Sequence, residues 1–168
     1  MRHWSYEAGA LAVRPLEARD EELRLHIYRQ TREEEMAGWG WDEAQREAFL
    51  RMQFDFQQRS YAVQYPDAQY EVVLAKGVPA GYLMVERSAA AIRLVDLALL
   101  SEYRNAGIGT AVLRGLQEEA QATGRPIKLH VLHTNPARRL YERLGFRPVE
   151  GGGEVHMAMV WQPAARRL

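Results

Sequence analysis

The sequence predicts a mixed α/β fold, a central and mostly antiparallel sheet flanked by about four helices. Three observations predict it. Short strand-like runs recur along the chain, segments with apolar residues three and four apart alternate with them, and Gly, Pro and Asn punctuation falls between the two kinds. With 168 residues, 47% of them hydrophobic, the chain has the size and apolar content of one domain, 1–168. It carries neither an internal repeat nor a low-complexity tract.

Residues 11–14 read as a strand that Pro15 stops, after which Asp20 caps a helix with Leu23, Ile27 and Thr31 on its inner face. A second helix starts at Asp42, where Asp42-Glu43-Ala44-Gln45 has capping-box spacing, and Phe49, Met52 and Phe56 supply its apolar side. Tyr70, Val72, Val73 and Leu74 lead through the turn signal Lys76-Gly77 into residues 81–85, a hairpin. Residues 91–100 form a further strand, apolar enough to be covered on both faces. It runs into a Gly-containing loop and a helix that turns Ile108, Ala111, Val112, Leu116 and Ala120 inward and stops at Gly124-Arg125-Pro126. A strand over 127–132 follows. Asn135 then caps a short helix, Pro136 opens it and Gly145 follows it, with Ala137, Leu140, Tyr141 and Leu144 inside. Residues 146–150 and 155–161, joined through Gly151-Gly152-Gly153, close the chain as a hairpin.

Composition narrows the function classes. Twenty-two basic residues balance 22 acidic ones, so no sequence-wide field favours a nucleic-acid or anionic-membrane partner. Without cysteine there is no disulfide, thiolate metal site or cysteine nucleophile, and the five histidines form no His-Glu-x-x-His pattern, so no metal is expected. The longest apolar run, 94–100, is interrupted by Asp96 and falls far short of the roughly 20 residues of a membrane span. Residues 1–6 lack the apolar stretch of a secretory leader, and a soluble cytoplasmic protein is the expectation.

The chemistry concentrates between residues 94 and 120. Gly107 and Gly109 let backbone amides approach a ligand, and the helix that follows adds unpaired N–H groups and the positive end of its dipole. Such a loop suits an anion, phosphate above all, although strand, Gly-x-Gly and helix also occur as plain turn geometry. It is not a P-loop, since Gly109-Thr110 has no lysine, nor a dinucleotide fingerprint, since Val112 stands at the third glycine.

Residues 97–110, with Arg104, Gly107 and Gly109, resemble the acyl-CoA-binding motif of the GNAT superfamily of N-acyltransferases, whose loop reads Gln/Arg-x-x-Gly-x-Gly/Ala. Residues 135–146 are similar to its second motif, in which an Asn and a Tyr precede Leu-Gly-Phe; Asn135, Tyr141 and Leu144-Gly145-Phe146 fill it. The resemblance runs over roughly residues 70–161. It implies acetyl-CoA as cosubstrate, with the backbone of Ala106, Gly107, Ile108, Gly109 and Thr110 on the pyrophosphate and Asn105 in the same loop. It also implies pantetheine along Leu97 and Leu99, with Arg104, Asn135 and Arg138 as further CoA contacts. The cleft would be a splay between this strand and 127–132.

The reaction implied is direct attack by a primary amine on the acetyl thioester in a ternary complex. Tyr141 matches the family's general acid. His130 stands where related ribosomal-protein alanine N-acetyltransferases carry a catalytic Glu, and an imidazole suits proton acceptance. Asp96, His133 and the acidic run 33–35 are weaker bases, and a water chain is the alternative to any of them. The acceptor expected is a small-molecule amine or a peptide N-terminus, and the assembly a homodimer. The rival readings are a noncatalytic CoA-binding sensor or regulatory module, and transfer of a longer acyl group. Trp39-Gly40-Trp41 forms either an aromatic wall at the acceptor or a hydrophobic anchor between the first two helices.

Overall fold

Residues 2–6 and 9–165 are described by a computed structural model. In chain order the elements are β1 (Arg2–Tyr6), β2 (Gly9–Pro15), α1 (Glu21–Met36), α2 (Glu43–Gln64), β3 (Gln69–Ala75), β4 (Val78–Arg87) and β5 (Ile92–Leu99). Then come α3 (Ile108–Thr123), β6 (Ile127–Leu132), α4 (Ala137–Arg143), β7 (Arg147–Val149) and β8 (His156–Trp161). One sheet runs β1-β2-β3-β4-β5-β6-β8-β7, and only β5 and β6 pair in parallel. The predicted mixed, mostly antiparallel sheet with four helices is the observed fold. β1 was not anticipated, because Arg2-His3-Trp4-Ser5-Tyr6 is short and holds no aliphatic residue; it is an edge strand paired with β2.

The sheet is covered on both faces. On one, α3 packs Ile108, Val112, Leu113 and Leu116 against Leu11, Val73, Leu83, Ile92, Ile127 and Met159, all buried. On the other, α1 lays Ile27 against Tyr82 and Leu100, and α2 reaches the sheet mainly through α1, where Leu50 and Phe54 meet Leu25, Tyr28 and Met36. The inner face of α2 is therefore not the one expected. Met52 and Phe56 are exposed, at 58% and 70%, while Leu50 and Phe54 are buried. Thr31 is likewise exposed and returns its hydroxyl to Tyr28 O at 2.7 Å. The capping box Asp42–Gln45 forms as read, with both bonds present. Trp39 and Trp41 meet each other and Phe49 of α2 edge to face at 5.0–5.5 Å while both stay exposed.

Asp20 precedes α1 but does not cap it with its side chain. Its carboxylate instead takes a two-pronged bond from Arg14 at the end of β2, at 2.7 and 2.9 Å, and one from Glu17 N–H. The pair pins the start of α1 to the sheet and is nearly out of solvent.

Two irregularities shape the middle of the sheet. The register with β4 runs Val85↔Leu94 and then Met84↔Asp96, so Val95 is an extra residue, a bulge in β5. Before it Ile92 and Leu94 face α3; after it Leu97 and Leu99 do, and Asp96 and Ala98 turn to the α1 side. The parallel pairing with β6 covers only Ile92–Leu94 against Ile127–Leu129 and ceases at that bulge. Residues 95–99 are thus half-buried along an open edge, not covered on both faces. The strand β4 closes on them through Gly81, where a Cβ would run into Ala98 O and come within 2.7 Å of Leu99 Cδ2. Gly81→Ala is expected to cost about 2 kcal/mol through overpacking at this backbone contact, measured by urea unfolding.

Candidate active site

The cleft is the wedge between β5 and β6 beyond their last paired residues. Leu100 N–H donates to Ala80 O, towards β4, at 2.8 Å. Strand alternation then turns the N–H and C=O of Leu99 and Leu97 to the open edge. There Leu99 O already accepts from Arg104 Nε at 3.2 Å, so the guanidinium is tied back to the strand.

The loop after β5 makes a turn over Ser101–Tyr103 and enters α3 through two left-handed residues, Asn105 (φ 59°) and Gly107 (φ 84°). Asn tolerates that conformation better than most residues, and Gly without strain. The helical ladder begins with Ala111 N–H donating to Gly107 O at 3.0 Å. Among the described residues no group accepts from the N–H of Asn105, Ala106, Gly107, Ile108, Gly109 or Thr110. The Ile108 side chain is core, so only its backbone is available here. A Cβ at Gly109 would meet nothing nearer than Leu140 Cδ2 at 3.8 Å, an ordinary contact. The chain's own packing therefore does not require glycine at 109; the free donors beside it are what the missing side chain leaves open. Together these amides, at the positive end of a 16-residue helix, form a cradle whose chemistry fits a diphosphate.

On the other bank, Asn135 Oδ1 accepts from Ala137 N–H at 2.9 Å, capping α4 as read, and Arg138 Nε is paired with Glu142 at 3.0 Å on the exposed side of that helix. Tyr141 is half-buried, its ring edge-on to Phe146 at 5.7 Å. Burial first, and then the nearby charge of Asp96, push its hydroxyl up to about 12. Tyr141 therefore stays protonated at neutral pH.

His130 does not sit with Tyr141. It is exposed on the α1/α2 side of β6, in a recess shared with Tyr61, Tyr65, Val95, His156 and the Gly151-Gly152-Gly153 loop. Its Nε2 lies 3.3 Å from Gly151 O; a carbonyl only accepts, so Nε2–H donates and Nδ1 is left as the basic nitrogen. His133 makes the matching bond to Gly153 O at 3.0 Å. Glu33 and Glu35 are exposed on α1, away from the cleft, and the Glu34 side chain lies outside the described residues.

Sequence reasoning placed Asp96 among the weaker bases, beside His133 and residues 33–35. The Tyr82 hydroxyl donates to Asp96 Oδ2 at 3.0 Å. Burial pushes Asp96 above the ordinary carboxylate range, opposed by that bond, by Leu97 N–H and by the charge of Arg24. Tyr61 and Tyr82 are raised by burial and then by Asp96, and Tyr70 by burial, so a layer of neutral tyrosines surrounds one acidic group. These residues come from α1, α2, β3, β4 and β5, and no local spacing encodes such a convergence. Only Asp96, a charge inside an apolar run, left a trace in the sequence.

Among the described residues no group of three His, Cys, Asp or Glu side chains could hold a metal, and no helix is long and apolar enough to cross a membrane.

Comparison with known proteins agrees with this architecture. Residues 66–148 match the model of the acetyltransferase (GNAT) domain. The cysteine-rich protein 2-binding proteins of Mus musculus and Homo sapiens are each 32% identical over 92 residues; the match takes in 54% of this chain and only 12% of their length. Among solved structures, the PaiA N-acetyltransferase of Thermoplasma acidophilum in complex with coenzyme A superposes with a TM-score of 0.66 at 19% identity, over 90% of this chain and 98% of that one. A protein from Corynebacterium glutamicum described as histone acetyltransferase HPA2 and related acetyltransferase gives a TM-score of 0.63 at 22% identity, over 94% and 99%. With the splayed β5/β6 pair, the glycine loop into α3 and a GNAT family match between residues 66 and 148, the chain belongs to the GNAT superfamily.

Proposed function

We propose that the chain is a single acetyl-CoA-dependent N-acetyltransferase domain that moves an acetyl group to a primary amine by direct attack. The observation that carries the reading is the run of free N–H groups over residues 105–110 at the mouth of the β5/β6 wedge, with Tyr141 of α4 packed on the same core as Leu97 and Leu99. The diphosphate of CoA lies on the amides of Ala106, Gly107, Ile108, Gly109 and Thr110, where charge-assisted bonds and the helix dipole favour it. Pantetheine extends along Leu97 and Leu99 as an added strand, with Arg104, Asn105, Asn135 and Arg138 around it. A backbone N–H near Leu99 receives the tetrahedral oxyanion, and Tyr141 supplies the proton that the leaving sulfur needs. His130 lines the acceptor side. The acceptor is a small amine or a peptide N-terminus, and neither nucleic acid nor membrane takes part.

Thermal unfolding tests the reading. At about 100 times its Kd, acetyl-CoA is expected to add roughly 2.7 kcal/mol, a shift of several degrees, while NAD leaves the midpoint in place. No shift with acetyl-CoA overturns the donor site. A shift without turnover of any amine points to a CoA-binding regulatory module, and a larger shift and faster turnover with longer thioesters to another acyl donor.

A further inference from the structure

The turn that carries the chain from β5 to the glycine loop does not cap itself. Leu100, at its N-cap position, has no polar side chain, and the Ser101 hydroxyl donates to Glu102 Oε2 at 3.2 Å. The Ser101 N–H is satisfied from elsewhere in the fold: it donates to Gln30 Oε1 of α1, 71 residues away, at 2.9 Å. With that oxygen occupied, the Gln30 amide donates through Nε2 to His26 Nε2 at 3.3 Å, one turn back on the same helix, and this second bond fixes its orientation.

α1 thus holds two consecutive residues where the chain leaves β5. Ile27 packs on Leu100, and Gln30, three positions later on the same face, takes the N–H of Ser101. Tyr103 packs against the core clusters on both faces of the sheet and steadies the middle of the turn. The remaining bonds of the segment stay within it: Tyr103 N–H to Leu100 O at 2.9 Å, Arg104 N–H to Ser101 O at 3.3 Å, and Arg104 Nε to Leu99 O. Among the described residues, no side chain from another element except Gln30 hydrogen-bonds to residues 101–110, and the next fixed point is the buried Ile108.

We propose that Gln30 is a positioning residue of the donor site: by capping the turn at Ser101 it holds the free N–H groups of residues 105–110 where a diphosphate meets them together. The proposal rests on the acetyltransferase reading above. These donors act as one site only while their directions converge. The backbone that presents them passes through two exposed left-handed residues, Asn105 and Gly107, and a Cβ at Gly107 would meet nothing within 4 Å. The course of the loop is therefore set at its two ends, by the turn that Gln30 caps and by Ile108. Without the cap the Ser101 N–H turns to water, the loop gains conformations, and binding has to order them. Ser101 is exposed, so its N–H is solvated when the bond is lost, and the loss falls on ligand affinity more than on the fold. α1 lies across the sheet from α3, so the grip on the donor is set from the face opposite the helix that presents the cradle.

Calorimetry with CoA and with S-acetylpantetheine, which lacks the diphosphate, tests this. Gln30→Leu keeps a long, helix-favouring side chain but removes the oxygen. It is expected to weaken CoA binding about tenfold, the upper end for one hydrogen bond, while S-acetylpantetheine binds as to the native protein and the urea midpoint of the free protein stays in place. Glu102 lies beside Gln30, so the conservative variant Gln30→Glu is made together with Glu102→Gln to keep two carboxylates from meeting. It returns an oxygen to the Ser101 N–H and should bind CoA nearly as tightly as Glu102→Gln alone. Four results overturn the proposal: CoA affinity of Gln30→Leu within about twofold of native, an equal loss for S-acetylpantetheine, a loss that comes with a lowered urea midpoint, or no recovery in the Glu variant. A native protein that does not bind CoA instead removes the acetyltransferase reading itself.

Discussion

Tyr141→Phe is expected to lower kcat roughly 1000-fold while leaving the affinity for acetyl-CoA at its native value, within the usual range for loss of a general acid. The substitution keeps the ring, and with it the edge-on contact to Phe146 at 5.7 Å and the packing of α4. Only the hydroxyl goes. That hydroxyl, pushed up to about 12 by burial and by Asp96, holds its proton across the physiological range, whereas a free thiol has an ordinary value of about 8.5. Full transfer from one to the other is uphill, so the phenol must regain a proton from the amide nitrogen as it gives one to sulfur. A variant without the hydroxyl breaks that relay after the thioester has bound. Calorimetry with acetyl-CoA separates binding from the steady-state rate. An unchanged kcat removes the acid role, and a parallel loss of affinity and rate assigns Tyr141 to packing.

Arg14→Met is expected to destabilise the fold by about 3 kcal/mol, at the lower end for a buried ion pair that loses one partner. Asp20 is 5% exposed and would keep only the bond from Glu17 N–H. In a chain of this length the loss corresponds to a fall in Tm of roughly 10 °C. The pH dependence carries the signature. The Arg14 hydrogen bond holds the Asp20 carboxyl below its ordinary 3.8, so the pair's stabilisation is fully present above that value and is lost as pH falls towards the lowered one. Denaturant unfolding of native and variant proteins should therefore show a constant gap from pH 7 down to about 5, narrowing below about 4. A gap that does not change with pH would mean that the arginine contributes packing and not charge.

The parts of this molecule that were legible in the sequence are those whose physics is local. The capping box at Asp42, the Lys76-Gly77 turn (φ 49° and 80°), the Gly124 and Gly145 helix ends and the glycine loop at 107–109 are fixed by residues within a few positions of one another. The misread face of α2 shows the limit. Leu50 and Phe54 form one apolar stripe and Met52, Phe56 and Val63 another, and periodicity alone cannot say which of them α1 will cover. Asp20 carries a capping signal, but Arg14, six residues earlier, competes for its carboxylate with two bonds and wins. Arg24 was invisible for the opposite reason, since a charged residue on a helix is ordinarily solvated and only the tertiary stack on Tyr70 buries it.

Val95 gives the strand something like a reading frame. A substitution in residues 96–99 changes one letter, but a regular place for Val95 in the ladder would exchange the two faces of everything after it. Asp96 would be sent into the apolar layer beneath α3, and Leu97 and Leu99 into the tyrosines. Variation in this stretch is therefore confined to changes of side chain at constant length. The face towards the tyrosines can be retuned residue by residue, but a change of length within residues 96–99 turns the Leu97 and Leu99 face with it.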